Sequence, residues 1–103
     1  MMQVGIDITL INRFEKLLDK HGKRFYNKFL TDDEMLPSMD SRYLAKCWAV
    51  KEACIKASDE SDFKMFEYAK LGAKPFVKTT VPGLWHLSVA DEKDTVIAVV
   101  VKI

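Results

Sequence analysis

The spacing of apolar residues changes several times along this chain, and each change marks an element. Gln3 to Thr9, QVGIDIT, alternates around a β-rich centre and predicts a strand. From Leu10 to His21 the apolar positions Leu10, Phe14, Leu17 and Leu18 recur at helical spacing, and Gly22 ends that helix. A second short helical segment is expected from Lys23 to Phe29. Thr31 with Glu34 three residues later is a capping-box pair, opening a short helix to about Leu36 that Pro37 stops. The longest helical pattern runs from Ser41 to about Ala57, and SDESD after it reads as a solvated loop. Phe63 to Leu71 fits either a strand or a helical turn. Gly72 to Pro75 reads as a turn, PFVKTT as a strand, and Pro82-Gly83 as another turn. LWHLSVA and TVIAVVVKI are the strongest strands, and the acidic DEKD between them predicts an antiparallel hairpin. The expected architecture is α+β: one small, mostly antiparallel sheet packed on one long central helix.

Composition narrows the setting. The 103 residues suggest one domain, residues 1–103, and 49% hydrophobic with 30% charged residues is ordinary for a globular chain. No apolar run approaches the ~20 residues that span a bilayer. The start carries no basic flank with an apolar block and cleavage site, so a cytoplasmic protein without a membrane partner is expected. Cys47 and Cys54 are the only cysteines. Seven residues apart on one helix, they stand ~10 Å apart along its axis, beyond disulfide reach. Two buried free thiols fit a reducing compartment. The net charge of +1 says nothing by itself about nucleic acid, and no nucleic-acid partner is expected. Between Arg13 and Lys28, however, six Lys/Arg face two acids and one His, a strip suited to a specific acidic partner.

The long helix poses a question. Within CWAVKEACIKA, Lys51 falls in the apolar stripe of Leu44, Cys47, Trp48 and Ile55, while Val50, Cys54 and Ala57 cover the opposite side. A helix apolar nearly all round is central, and unpaired charges there cost several kcal/mol each. Two bland readings exist: Glu52 and Lys56 as an i,i+4 pair, and Lys51 snorkelling out of the stripe. Asp7, a carboxylate inside the strand GIDI, adds a third. Carboxylates from a strand and a central helix can share one Mg²⁺, which also takes phosphate oxygens.

These residues resemble a known family. VGIDITLINRFEKLL, FLTDDE, YLAKCWAVKEACIKA, GAKPFV and WHLSVADEKDTVIAVVV occur in the order found in the holo-acyl-carrier-protein synthases, which are small 4′-phosphopantetheinyl transferases. The resemblance implies transfer of the phosphopantetheine arm of coenzyme A to a serine of apo acyl carrier protein, in fatty acid biosynthesis, leaving adenosine 3′,5′-bisphosphate. It implies Mg²⁺ held by Asp7 and Glu52, with Glu52 and Lys56 catalytic. It implies coenzyme A contacts from Lys56, Lys74, Pro75 and Ser88. Acyl carrier protein, an acidic partner, would dock on Arg13, Lys16, Lys20 and Arg24. It also implies a homotrimer with active sites between subunits. The base for the serine proton stays open between a water and Glu52.

The chain departs from the family pattern on the nucleotide side. Ala90 and Asp91 stand where a hydroxyl and a histidine are usual, so weaker binding of the coenzyme A 3′-phosphate is expected. Cys47 replaces a basic residue, and SDESD replaces a G-T-G loop. His86 reads as a strand residue, not a base. The rival reading is a non-catalytic module that binds acyl carrier protein or coenzyme A, and retention of Asp7, Glu52 and Lys56 speaks against it.

Overall fold

The computed structural model describes residues 1–103. In chain order it contains β1 (Gln3–Leu10), α1 (Ile11–His21), α2 (Lys23–Tyr26), a 3₁₀ turn (Asp32–Glu34), α3 (Ser41–Lys56) and a second 3₁₀ turn (Phe63–Met65). Four strands follow: β2 (Phe66–Leu71), β3 (Lys74–Thr79), β4 (Trp85–Glu92) and β5 (Thr95–Lys102). The α+β expectation holds, with α3 packed across β1 and β5. The single sheet is corrected in one respect. The strands form a three-stranded sheet of order β1–β5–β4 and a separate two-stranded sheet, β2–β3, all pairs antiparallel. The link from β3 to β4 is responsible. Pro82 has no N–H for a ladder, and Gly83 takes φ 134°, so the chain turns a corner there. Trp85 Nε1 closes the corner by donating to the Val81 carbonyl at 3.0 Å.

The ambiguous stretch from Phe63 to Leu71 contains both elements in series. Asp62 accepts from Lys64 N at 2.9 Å, capping the 3₁₀ turn, and β2 begins at Phe66. The predicted hairpin is present: Glu92 stands opposite Thr95, with Lys93 at φ 55° in the two-residue turn. That turn also starts α1, which has no side-chain cap of its own. Asp94 accepts from Ile11 N through its carbonyl at 2.8 Å and from Asn12 N through Oδ1 at 2.9 Å. The capping chemistry of α1 therefore comes from the far end of the chain.

α3 is buried along most of its length, by Leu44, Ala45, Cys47, Ala49, Val50, Lys51, Ala53 and Cys54. Small residues let the sheet approach. A Cβ on Gly5 would sit 1.8 Å from the Ala53 carbonyl oxygen, so only glycine lets β1 lie this close to α3. That approach carries Asp7, two residues further along the same strand face, toward the last turns of the helix. Trp48 anchors the other side of α3, stacked on Phe63 at 4.8 Å and edge-on to Phe29 at 5.2 Å. The opposite face of β1 is uncovered. Val4, Ile6, Ile8 and Leu10 are each more than half exposed.

Candidate active site

The two charges in the middle of α3 have different surroundings. Lys51 is fully buried, and its ammonium lies 2.6 Å from Glu34 Oε1. It also donates to the carbonyls of Phe63 at 3.2 Å and Phe66 at 2.5 Å. Glu34 is equally well satisfied. Its carboxylate accepts from Thr31 N at 3.0 Å, the reach-back arm of the capping box, and from Tyr68 N at 2.8 Å. One ion pair thus ties the first 3₁₀ turn, α3, the second 3₁₀ turn and β2 together. Lys51 does not snorkel.

Glu52 has no such partner. Lys56 turns away from it, donating to the Ile6 carbonyl at 2.9 Å and pairing with Asp7 Oδ1 at 3.4 Å. The i,i+4 helix pair is therefore not what the structure contains. Burial raises the Asp7 carboxyl above its ordinary value, against the pull of Lys56 and Arg13. Glu52 is raised by burial and next by the Asp7 carboxylate itself, again against Lys56 and Arg13. The two carboxylates stand close enough to repel. Asp7 Oδ2 is buried and accepts no hydrogen bond. Arg13 is positioned over this region by its guanidinium, 5.5 Å from the ring centroids of both Phe14 and Trp48.

Asp7, Glu52 and Lys56 are thus brought together from β1 and α3, with Arg13 beside them. Arg13, Lys16 and Lys20 follow one another at helical spacing on α1, Arg24 lies on α2, and all four are exposed. None of them is in an ion pair. Lys74 and Pro75 begin β3, opposite Leu71 and Lys70, and make no hydrogen bond or ion pair with the carboxylates. Lys70 helps wall a cleft of about 510 Å³ with Arg42, Tyr43, Lys46 and Tyr68. Ser88 is exposed on β4 beside Val99, on the uncovered face of the sheet. Asp7 faces α3, so a single chain does not bring Ser88 to the carboxylate pair. Asp91 is not a free acid. Arg42 and Lys46 both pair with it, and although burial pulls its carboxyl up, the Arg42 hydrogen bond and the two cations hold it below the usual range. Both cysteines are free and buried, which pushes their thiols up to about 12 and keeps them protonated.

Sequence reasoning missed the Lys51–Glu34 pair, the Arg42–Asp91–Lys46 cluster and Thr9, whose buried hydroxyl also lacks a partner. For the first a signal existed: a lysine in an apolar stripe and an acid after a cap are complementary misfits.

Residues 3–100 match the 4′-phosphopantetheinyl transferase superfamily. A holo-[acyl-carrier-protein] synthase of Coprothermobacter proteolyticus is 34% identical over 102 residues, covering 95% of this chain and 92% of that protein. One from Campylobacter jejuni is 46% identical over 56 residues, 54% of this chain, so the match spans 49% of that relative's length. Among solved structures, a holo-(acyl-carrier-protein) synthase from Bacillus anthracis in complex with CoA (3′,5′-ADP) superposes with a TM-score of 0.82 at 32% identity. That likeness covers 99% of this chain and 97% of the other.

Proposed function

This chain belongs to the 4′-phosphopantetheinyl transferase superfamily, among the holo-acyl-carrier-protein synthases. On that premise we propose that it moves the phosphopantetheine arm of coenzyme A to a serine of apo acyl carrier protein, for fatty acid synthesis in the cytoplasm. The serine oxygen bonds to the arm's phosphorus as its proton passes to a water or to Glu52, the diphosphate P–O bond breaks, and adenosine 3′,5′-bisphosphate leaves. The observation that carries this reading is the under-neutralised carboxylate pair, with Asp7 Oδ2 buried and unpartnered while Asp7 repels Glu52.

That pair fits Mg²⁺. The chain has no group of three or more His, Cys, Asp or Glu side chains placed to hold a metal ion together. A cation that takes one or two carboxylates and fills its remaining positions with water and phosphate oxygens needs no more. Asp7 and Glu52 would hold it, and when bound it supplies charge neutralisation at the diphosphate. Phosphoryl transfer asks the protein chiefly for positioning and charge. Lys56 is anchored by the Ile6 carbonyl and exposed enough to offer an N–H to a phosphate oxygen. Lys74 and Pro75, next to the wall of the 510 Å³ cleft, would receive the nucleotide side of coenzyme A. Lys16, Lys20, Arg24 and Arg13 offer uncommitted positive charge to the acidic carrier.

The assembly proposed is a homotrimer with active sites between subunits. Val4, Ile6, Ile8 and Leu10 form an apolar row that one chain leaves in water, and partner copies would cover it. Ser88 stands on that same face, where it can serve a neighbour's site. Reduced, buried thiols accord with a cytoplasmic setting.

Mass spectrometry of apo acyl carrier protein incubated with the chain, coenzyme A and Mg²⁺ tests the reading. One phosphopantetheine arm should be added per carrier. Tight coenzyme A binding without any mass gain would instead establish a non-catalytic binder.

A further inference from the structure

Two buried side-chain polar atoms lack a hydrogen-bond partner, Asp7 Oδ2 and Thr9 Oγ1. Folded proteins pair nearly all such atoms, and each exception calls for a cause. Here the two exceptions are neighbours. Both belong to β1, two residues apart, on the strand face turned away from the exposed row of Val4, Ile6, Ile8 and Leu10. Their register partners on β5, Ala98 and Val96, carry no polar side-chain atom. Thr9 is only 5% exposed, so bulk water does not satisfy its hydroxyl. Packing does not explain the hydroxyl either, because valine has the same shape without the desolvated oxygen.

A single absent polar group would satisfy both atoms. Side chains two apart on one strand face are about 7 Å apart. An Mg²⁺ with its coordinated water reaches about 5 Å to a hydrogen-bonding group. That is too far for Asp7 and Thr9 both to be direct ligands, and suits one direct ligand and one water-bridged contact.

We propose that Thr9 is a positioning residue of the carboxylate site, its hydroxyl holding, through one water, the cation that Asp7 and Glu52 bind. The inference rests on the Mg²⁺ reading of that pair. It assigns a hydroxyl, neutral and fixed on a strand, to orient a site whose charges come from β1 and α3.

The two states of the protein respond in opposite directions. Without a cation the Thr9 hydroxyl is an unpaired buried group, so Thr9→Val should hold or raise the Tm measured in EDTA. With a cation the hydroxyl is used, so Thr9→Val should weaken Mn²⁺ binding by about tenfold, as loss of an outer contact to a metal site typically does. Mn²⁺ titration followed by electron paramagnetic resonance, with no coenzyme A or carrier present, reads the second effect. Thr9→Ser keeps the hydroxyl and should bind Mn²⁺ as the wild type does, even at a lower Tm, whereas Thr9→Ala should not. Thr9→Val that binds Mn²⁺ normally, or that loses its fold in EDTA, overturns the inference and leaves the transferase reading intact. A wild-type protein that binds no Mn²⁺ overturns the inference together with the Mg²⁺ reading of the unliganded pair on which it rests.

Discussion

Two charged clusters stand on consecutive residues of α3. Around Lys51 every polar group is matched: the ammonium has a carboxylate and two carbonyls, and Glu34 has two backbone N–H groups besides. Around Glu52 the account does not balance. Two carboxylates repel, both are raised by burial, and one oxygen has no partner at all. A satisfied buried ion pair holds elements in register, and removing one partner is strongly destabilising. An unsatisfied pair at a partly open site costs the empty protein stability and is arranged for something that arrives. On the proposed reading, one helix turn serves architecture on one side and chemistry on the other.

The contrast can be broken from either side. Asp7→Asn should reduce transfer about a thousandfold, the several kcal/mol that a metal clamp contributes to phosphoryl transfer. The Tm of the same variant in EDTA should stay level or rise, because a repelling charge has gone. Rates with saturating coenzyme A, set beside thermal scans, check both halves. Lys51→Met should do the reverse, costing about 3–5 kcal/mol by leaving Glu34 buried and unpaired. Lys51→Met combined with Glu34→Leu should recover only part of that loss in urea denaturation, since both charges are then gone but the Thr31 and Tyr68 N–H groups lose their acceptor.

A pH series sharpens the same comparison. Without a divalent cation, Asp7 and Glu52 lie above their ordinary values of 3.8 and 4.5. A carboxyl with a raised folded pKa binds its proton more tightly when folded. Metal-free stability should therefore fall as pH rises from those ordinary values through the raised ones. Mg²⁺ favours the ionised pair, so the Tm gained on adding it should grow with pH across that window. A gain independent of pH would separate the cation from the pair. The smallest expected effect lies on the basic strip. Lys16→Glu or Lys20→Glu should raise the KM for carrier by up to about fivefold, the size of one exposed ion pair, without moving the KM for coenzyme A. Equal shifts in both constants would remove α1 from carrier docking.

Much of the fold was legible because its signals are local. β1, α3 and the β4–β5 hairpin announce themselves by period and turn chemistry within ten to twenty residues. The division into two sheets was not, since it depends on how the corner at Pro82 and Gly83 sets β4 beside β5 and not β3. The stretch from Phe63 to Leu71 resisted a single assignment because a capped turn and a strand share nine residues. At the site, Asp7, Glu52 and Lys56 were legible as misplaced charges. The long-range ion pairs were not: Lys51 finds an acid 17 residues upstream, and Asp91 finds Arg42 nearly half the chain away. Such pairings are set by packing, which leaves no periodic trace. Lys74 and Pro75 make no hydrogen bond or ion pair with the carboxylates, and Ser88 lies on the opposite face of its sheet from Asp7.

The most direct test of the central claim is calorimetric titration of Mg²⁺ into the coenzyme A complex of the wild type, Asp7→Asn and Glu52→Gln. One Mg²⁺ should bind per chain in the wild type and none in either variant, because both oxygens serve the same ion. Unchanged Mg²⁺ affinity in either variant would contradict that claim.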